Sequence, residues 1–99
     1  MAGFNELKLG EAERLAVLIE ECAEVQQIAC KVLRHGYLSF NPNDKFRTSN
    51  RTLLERELGD LSAAIYLMRR AEDIDRHRVR DADRKKRENV FKYLHHNRQ

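Results

Sequence analysis

Two pairs of acids in this chain stand where acids are costly. Glu21 and Glu24 form one pair, Glu57 and Asp60 the other, each at i, i+3 spacing. Residues three apart on a helix share a face. At 100° per residue, Glu21 falls in the middle of the apolar strip Val17, Val25, Ile28, Val32. Glu57 falls at the centre of the face made by Leu53, Leu54, Leu58, Leu61, Ala64, Ile65 and Met68. A carboxylate in an apolar stripe costs several kcal/mol unless something compensates it, on the order of the penalty for any unpaired buried ion. If the two helices pack antiparallel, all four carboxylates converge, and like charges that close need a cation between them or must protonate. Oxygen-only ligands select a hard ion, so Mg²⁺ is the expected occupant, with Mn²⁺ as a substitute. Two ordinary arrangements compete with this one: ion pairs to Arg or Lys, or solvated acids on a charge-rich helix.

The elements that must position these acids are helical. Gly and Pro are sparse and Leu, Ala, Glu and Arg abundant, which predicts an all-α protein. The first helix is expected over about 11–34, with Gly36 as its stop. Its core stripe is Leu15, Leu18, Ile19, Cys22, Gln26, Ala29 and Leu33, widened by the strip that holds Glu21. Residues 35–50 hold the only proline and most of the turn formers, so they form a loop, with Tyr37, Phe40 and Phe46 in it. The second helix is expected over about 51–71, capped by Thr52 with Glu55, or by Ser49 or Asn50. A short turn at 72–75 leads to a last helix over about 76–95. Gly59 costs about 1 kcal/mol against alanine inside a helix, which points to close packing beside the acids.

The stretches Glu20-Glu21-Cys22-Ala23-Glu24 and Glu57-Leu58-Gly59-Asp60-Leu61 resemble the pattern E-E-x-x-E … E-x-x-D of the all-α nucleoside triphosphate pyrophosphohydrolases, the MazG-like group. The resemblance spans the first two helices, about 50 residues. The 32-residue spacer between Glu24 and Glu57 is longer than usual for the motif, and the added length falls in the 35–50 loop. The resemblance implies an antiparallel helical bundle whose core is completed by dimerisation, as a homodimer or a homotetramer. It implies Mg²⁺-dependent hydrolysis of a (d)NTP to monophosphate and pyrophosphate, with Glu21, Glu24, Glu57 and Asp60 as metal-binding and catalytic residues. Glu21 is the candidate to orient or deprotonate the attacking water. The family also places cationic and polar side chains of the last helix on the phosphates. Lys85, Asn89 and Tyr93, at i, i+4, i+8, match that arrangement, with Lys86 beside them and Arg84 and Lys92 as alternatives.

Charge distribution supports a phosphate-bearing partner. The formal net charge is +3, but residues 76–99 hold nine basic and three acidic side chains, while residues 1–75 hold ten basic and thirteen acidic ones. A basic terminal segment on an acidic body fits an anionic ligand. Nucleic acid binding through 76–99 is the rival reading; it explains the basic segment and leaves the four acids unexplained. Loop aromatics could stack on a base or simply anchor the loop. Cys22 and Cys30 lie eight residues apart, about 12 Å along a helix and beyond disulfide reach, so they read as small core residues in a reducing compartment. His35 stands at a helix end where it complements the dipole. No 18-residue apolar run and no signal-like N-terminal pattern occur, so no membrane partner and a cytoplasmic location are expected. Ninety-nine residues make one small domain that buries about 60–65% of its unfolded surface, which keeps oligomerisation in view.

Overall fold

The computed structural model describes residues 4–97. Its helices are α1 (Leu9–His35), α2 (Asn50–Arg70) and α3 (Arg76–Asn89), and α3 tightens into a 3₁₀ turn over Val90–Tyr93. The all-α expectation holds, and no helix among the described residues is long and apolar enough to cross a membrane. α1 begins two residues earlier than expected because the Glu11 side chain accepts a hydrogen bond from Lys8 N–H at 2.7 Å, satisfying a donor just before the helix. The last helix ends before residue 95: regular α geometry stops at Asn89, whose Nδ2 donates to the Lys85 carbonyl at 2.8 Å.

α1 and α2 form an antiparallel hairpin, secured at both ends. At the loop end, Gly36 takes φ +89°, a conformation that favours glycine, and its N–H closes on the Val32 carbonyl. Ser49 is the cap of α2, accepting from Thr52 N–H. Between these caps the loop is zipped rather than loose. Asn50, 5% exposed, donates from its side chain to the Gly36 carbonyl, while its N–H and that of Arg51 donate to Ser39 and Tyr37. Asp44 accepts from Phe46 and Thr48 N–H groups. At the other end, Glu72 adopts a left-handed φ of +64°, which ends α2 and turns the chain back. Asp73 thereby reaches α1, where Arg14 grips it in a two-pronged ion pair, Nε to Oδ2 at 2.5 Å and Nη2 to Oδ1 at 2.9 Å.

The interior between the helices is thin. Ile28, Ala64 and Met68 are its buried apolar residues. The strip holding Glu21 is the one that meets α2. Much of the expected core stripe of α1 is instead open: Ile19 is 68% and Leu33 87% exposed, and Gln26 and Cys30 are exposed too. The reading of Cys30 as a core residue is therefore corrected; both cysteines are free, and only Cys22 is half-buried. Leu58 of α2 is 47% exposed. On helical wheels of an antiparallel pair, Ile19, Gln26 and Leu33 fall on the same flank of the hairpin as Leu54, Leu58 and Ile65. A Cβ added at Gly59 would meet nothing within 4 Å, so no close packing inside this chain requires that glycine.

α3 packs along neither α1 nor α2. It has no buried residue, and its own ion pairs Arg84–Asp81, Arg84–Glu88 and Arg87–Asp83 support it. The chain spans 49 × 39 × 22 Å with a radius of gyration of 17.2 Å, against about 13 Å for a compact 100-residue domain. Its accessible surface is 8651 Å², against about 5,900 Å² for a compact monomer of this mass. The bundle is therefore a two-helix hairpin with an arm.

The Arg14–Asp73 clamp gives a pH-dependent expectation. Its hydrogen bond to Arg14, reinforced by the guanidinium charge, holds the Asp73 carboxyl below its ordinary value. A depressed carboxylate stabilises the fold above its unfolded value and loses that contribution as pH falls through the folded one. Asp73→Asn is expected to lower the melting temperature by several degrees at pH 7. The gap to wild type should narrow as pH falls below the ordinary aspartate value, about 3.9, toward the depressed value of Asp73. A constant gap across that range in a thermal melt series would refute the assignment.

Candidate metal centre

The hairpin brings all four expected acids together. Glu21, Glu24, Glu57 and Asp60 each offer a carboxylate oxygen, and these four oxygens lie within 4.8 Å of one another. Antiparallel packing makes this happen, since it sets the second turn of α2 against the middle of α1. Glu21, Glu24 and Glu57 are half-buried; Asp60, at the edge of the helix pair, is exposed.

Neither ordinary arrangement accounts for them. None of the ion pairs among the described residues involves any of the four. One oxygen of Glu21 (Oε2) and one of Glu57 (Oε2) are buried with no hydrogen-bond partner, an unusual state for a buried carboxylate. Burial pushes the Glu21 carboxyl up from its ordinary value, and the charges of Glu24, Asp60 and Glu20 push it further. A proton-sharing contact with Glu24 raises the Glu57 carboxyl first, then burial, then the charges of Glu24, Asp60 and Glu21. Burial and like charge thus both favour the protonated forms of Glu21 and Glu57.

The donor set fits a hard divalent ion. Hard divalent ions such as Mg²⁺ take oxygen ligands of this kind. A cavity of about 280 Å³ opens beside Glu24 and Glu57 and is also lined by Gln27, Ile28, Lys31 and Leu53.

The expected phosphate contacts are not brought to this site by their own chain. Lys85, Lys86 and Asn89 lie on α3 and Tyr93, 77% exposed, in the 3₁₀ turn, on the arm that packs against neither helix of the hairpin. The loop aromatics are not anchors either. Tyr37, Phe40 and Phe46 are all exposed, and each lies beside a cation: Arg51, Arg47 and Lys45 at 4.8, 5.7 and 5.1 Å from the ring centres. Sequence reasoning did not single out Lys31, which lines the cavity beside Glu24 and Glu57. Its i+7 spacing from Glu24, two turns along one face, was the available signal.

No family model matches the chain, and neither a curated protein nor a solved structure was found to be similar to it.

The raised carboxyls define a second pH expectation. Between the ordinary glutamate value and the raised one, the folded chain binds more protons than the unfolded chain, so stability falls as pH rises through that window. Without divalent cations, the melting temperature is expected to drop as pH rises from the ordinary glutamate value through the raised one. Glu57→Gln, which removes one charge, should melt higher than wild type at pH 7 in EDTA. Millimolar Mg²⁺ or Mn²⁺ should raise the wild-type melting temperature and leave that of Glu57→Gln nearly unchanged. If Glu57→Gln melts below wild type in EDTA, repulsion in the cluster is disproved.

Proposed function

We propose that this protein is a divalent-cation-dependent nucleoside triphosphate pyrophosphohydrolase of the MazG-like kind, hydrolysing a (d)NTP to the monophosphate and pyrophosphate. The observation that carries the reading is the convergence of four carboxylates with no cationic partner. Glu21, Glu24, Glu57 and Asp60 would hold Mg²⁺, or Mn²⁺ in its place. A metal bound there supplies Lewis-acid polarisation of the phosphate and a water of lowered pKa. Glu21 is the carboxylate that would orient or deprotonate the attacking water. The α,β-anhydride bond breaks: water's oxygen ends on one product, and the bridging oxygen leaves with the other.

The reading includes self-association. This chain exposes about 2,800 Å² more surface than a compact monomer of its mass. Obligate homodimers bury about 2,000–5,000 Å² in total. The open flank bearing Ile19, Leu33 and Leu58 is the natural seat for a second copy, as a homodimer or a homotetramer. A partner's α3 would then be available to bring Lys85, Lys86, Asn89 and Tyr93 to the phosphates. Such an enzyme belongs in the cytoplasm, where its substrates are.

One observation favours a second reading. Arg76, Arg78, Arg80, Lys85 and Lys86 make no ion pair, and a cleft of about 680 Å³ at the α2–α3 turn is lined by Arg69, Arg70, Arg76 and Arg78 among others. That surface suits a nucleic acid backbone. The cleft is larger than the one beside the acid cluster, and two of its three acids are engaged: Asp73 by Arg14 and Asp75 by the first N–H groups of α3.

Product analysis separates these readings. Incubation with a panel of canonical and modified (d)NTPs and Mg²⁺, followed by ion-exchange chromatography, is expected to yield monophosphate and pyrophosphate. Glu57→Gln should reduce turnover at least a hundredfold while its helical circular dichroism remains. No turnover, together with DNA binding that weakens steeply with salt, would replace the enzyme reading with the second one. Sedimentation equilibrium checks the assembly: Ile19→Glu, at a position exposed in the single chain, is expected to lower the measured mass and the melting temperature. A wild-type monomer would end the shared-core argument.

A further inference from the structure

The acid cluster does not stand alone on its flank. The cavity beside Glu24 and Glu57 shares Lys31 and Leu53 with a second cavity, of about 350 Å³, under the 36–49 loop. The two adjoin at these side chains, and together they outline a trough on this flank. It runs from the acids along the last two turns of α1 to a wall containing Phe40 and Asn41. Volumes of this size are typical of small-ligand sites, which occupy about 300–1,000 Å³.

The trough changes chemistry along its length. Its first end is anionic. Its middle carries Lys31 and Arg34, both exposed and neither engaged in an ion pair among the described residues. Lys31 lies two helical turns beyond Glu24, about 10 Å. Lys31 lines the same cavity as Glu24 and Glu57. The far end combines an aromatic ring with amide groups. Phe40 is 39% exposed. Asn41 uses its side-chain oxygen to accept from Asn43 N–H, which leaves its NH₂ group as a donor. The bridge between Phe40 and Ser49 and the bond from Asn50 N–H to Ser39 hold this wall in place.

The geometry points to a substrate path in which Lys31 and Arg34 take the phosphates of a nucleoside triphosphate and Phe40 with Asn41 takes its base. This inference rests on the metal reading above and adds the specificity determinants to it. A polyphosphate bridging from metal-holding carboxylates to a lysine and an arginine meets alternating charge in the right order. A flat base then reaches the only segment of the trough with a ring to cover it. The long 25–56 spacer supplies that segment, which assigns it a role: it builds the base pocket from within the chain. The phosphates then need no side chain from α3.

The test uses three probes on the whole protein. Mn²⁺ alone reports on the acids, by its electron paramagnetic resonance signal. Inorganic tripolyphosphate with Mn²⁺ reports on the phosphate end. Non-hydrolysable α,β-imido analogues of dATP, dGTP, dCTP and dTTP report on the whole path. Lys31→Glu and Arg34→Ala, both at exposed positions, are expected to leave Mn²⁺ uptake intact. Each should weaken tripolyphosphate and the preferred analogue by about tenfold or more. Phe40→Ala should leave tripolyphosphate unchanged, weaken the preferred analogue by about tenfold and narrow the differences among the four bases. Wild type that takes up Mn²⁺ and analogue, with affinities indifferent to all three changes, overturns the path and leaves the metal reading standing. Wild type that takes up no Mn²⁺ overturns both.

Discussion

Electrostatic repulsion sits at the middle of the helix pair. Glu21 and Glu57 occupy positions that the surrounding apolar residues would fill in a hairpin built for stability alone, and Glu24 and Asp60 add to the charge. The apolar contacts of Ile28, Ala64 and Met68 are therefore reinforced by clamps at the two ends. At one end a left-handed turn at Glu72 delivers Asp73 to Arg14. At the other, Asn50 is buried against Gly36 and the loop is stitched to the start of α2. The centre is strained by like charge, and the two clamps keep the carboxylates facing one another. An ion between them would turn the repulsion into the strongest contact in the hairpin.

The two flanks of the hairpin divide the labour. One carries the open edge of the acid cluster and the trough that leads to the 36–49 loop. The other is apolar and uncovered. Because both helices contribute the same kind of residue to the same flank, the division does not depend on any single side chain. It is a consequence of antiparallel pairing of two wide apolar stripes, only part of which a two-helix contact is able to bury. α3, polar on all sides, cannot supply the missing cover by itself.

On the proposed reading, these features belong together. A cluster that needs a cation, adjoining cations that need an anion, and a ring-bearing wall beyond them lie in one line. The long spacer between the acid pairs, which departs from the motif it resembles, becomes the element that completes the line.

Much of this was legible in the sequence. The helices, the stop at Gly36, the turn at 72–75 and the four acids all follow from local periodicity and backbone chemistry, which depend on residues within one or two turns. Ile19, Leu33 and Cys30 were misread as core. A wheel shows that a stripe is apolar but not which part of a wide stripe the neighbouring helix will choose. Gly59 was assigned a packing role that this chain does not use. Lys31 was overlooked because its importance lies in a cavity whose second wall comes from residues more than a turn outside its own helix. The sequence by itself determined which residues are helical and which acids share a face. Only the tertiary structure decided that the acids meet without a cation, that α3 stands apart and that the loop faces the acids through a shared trough. Those outcomes depend on the angle and register of packing between segments distant in the chain, which no local pattern encodes.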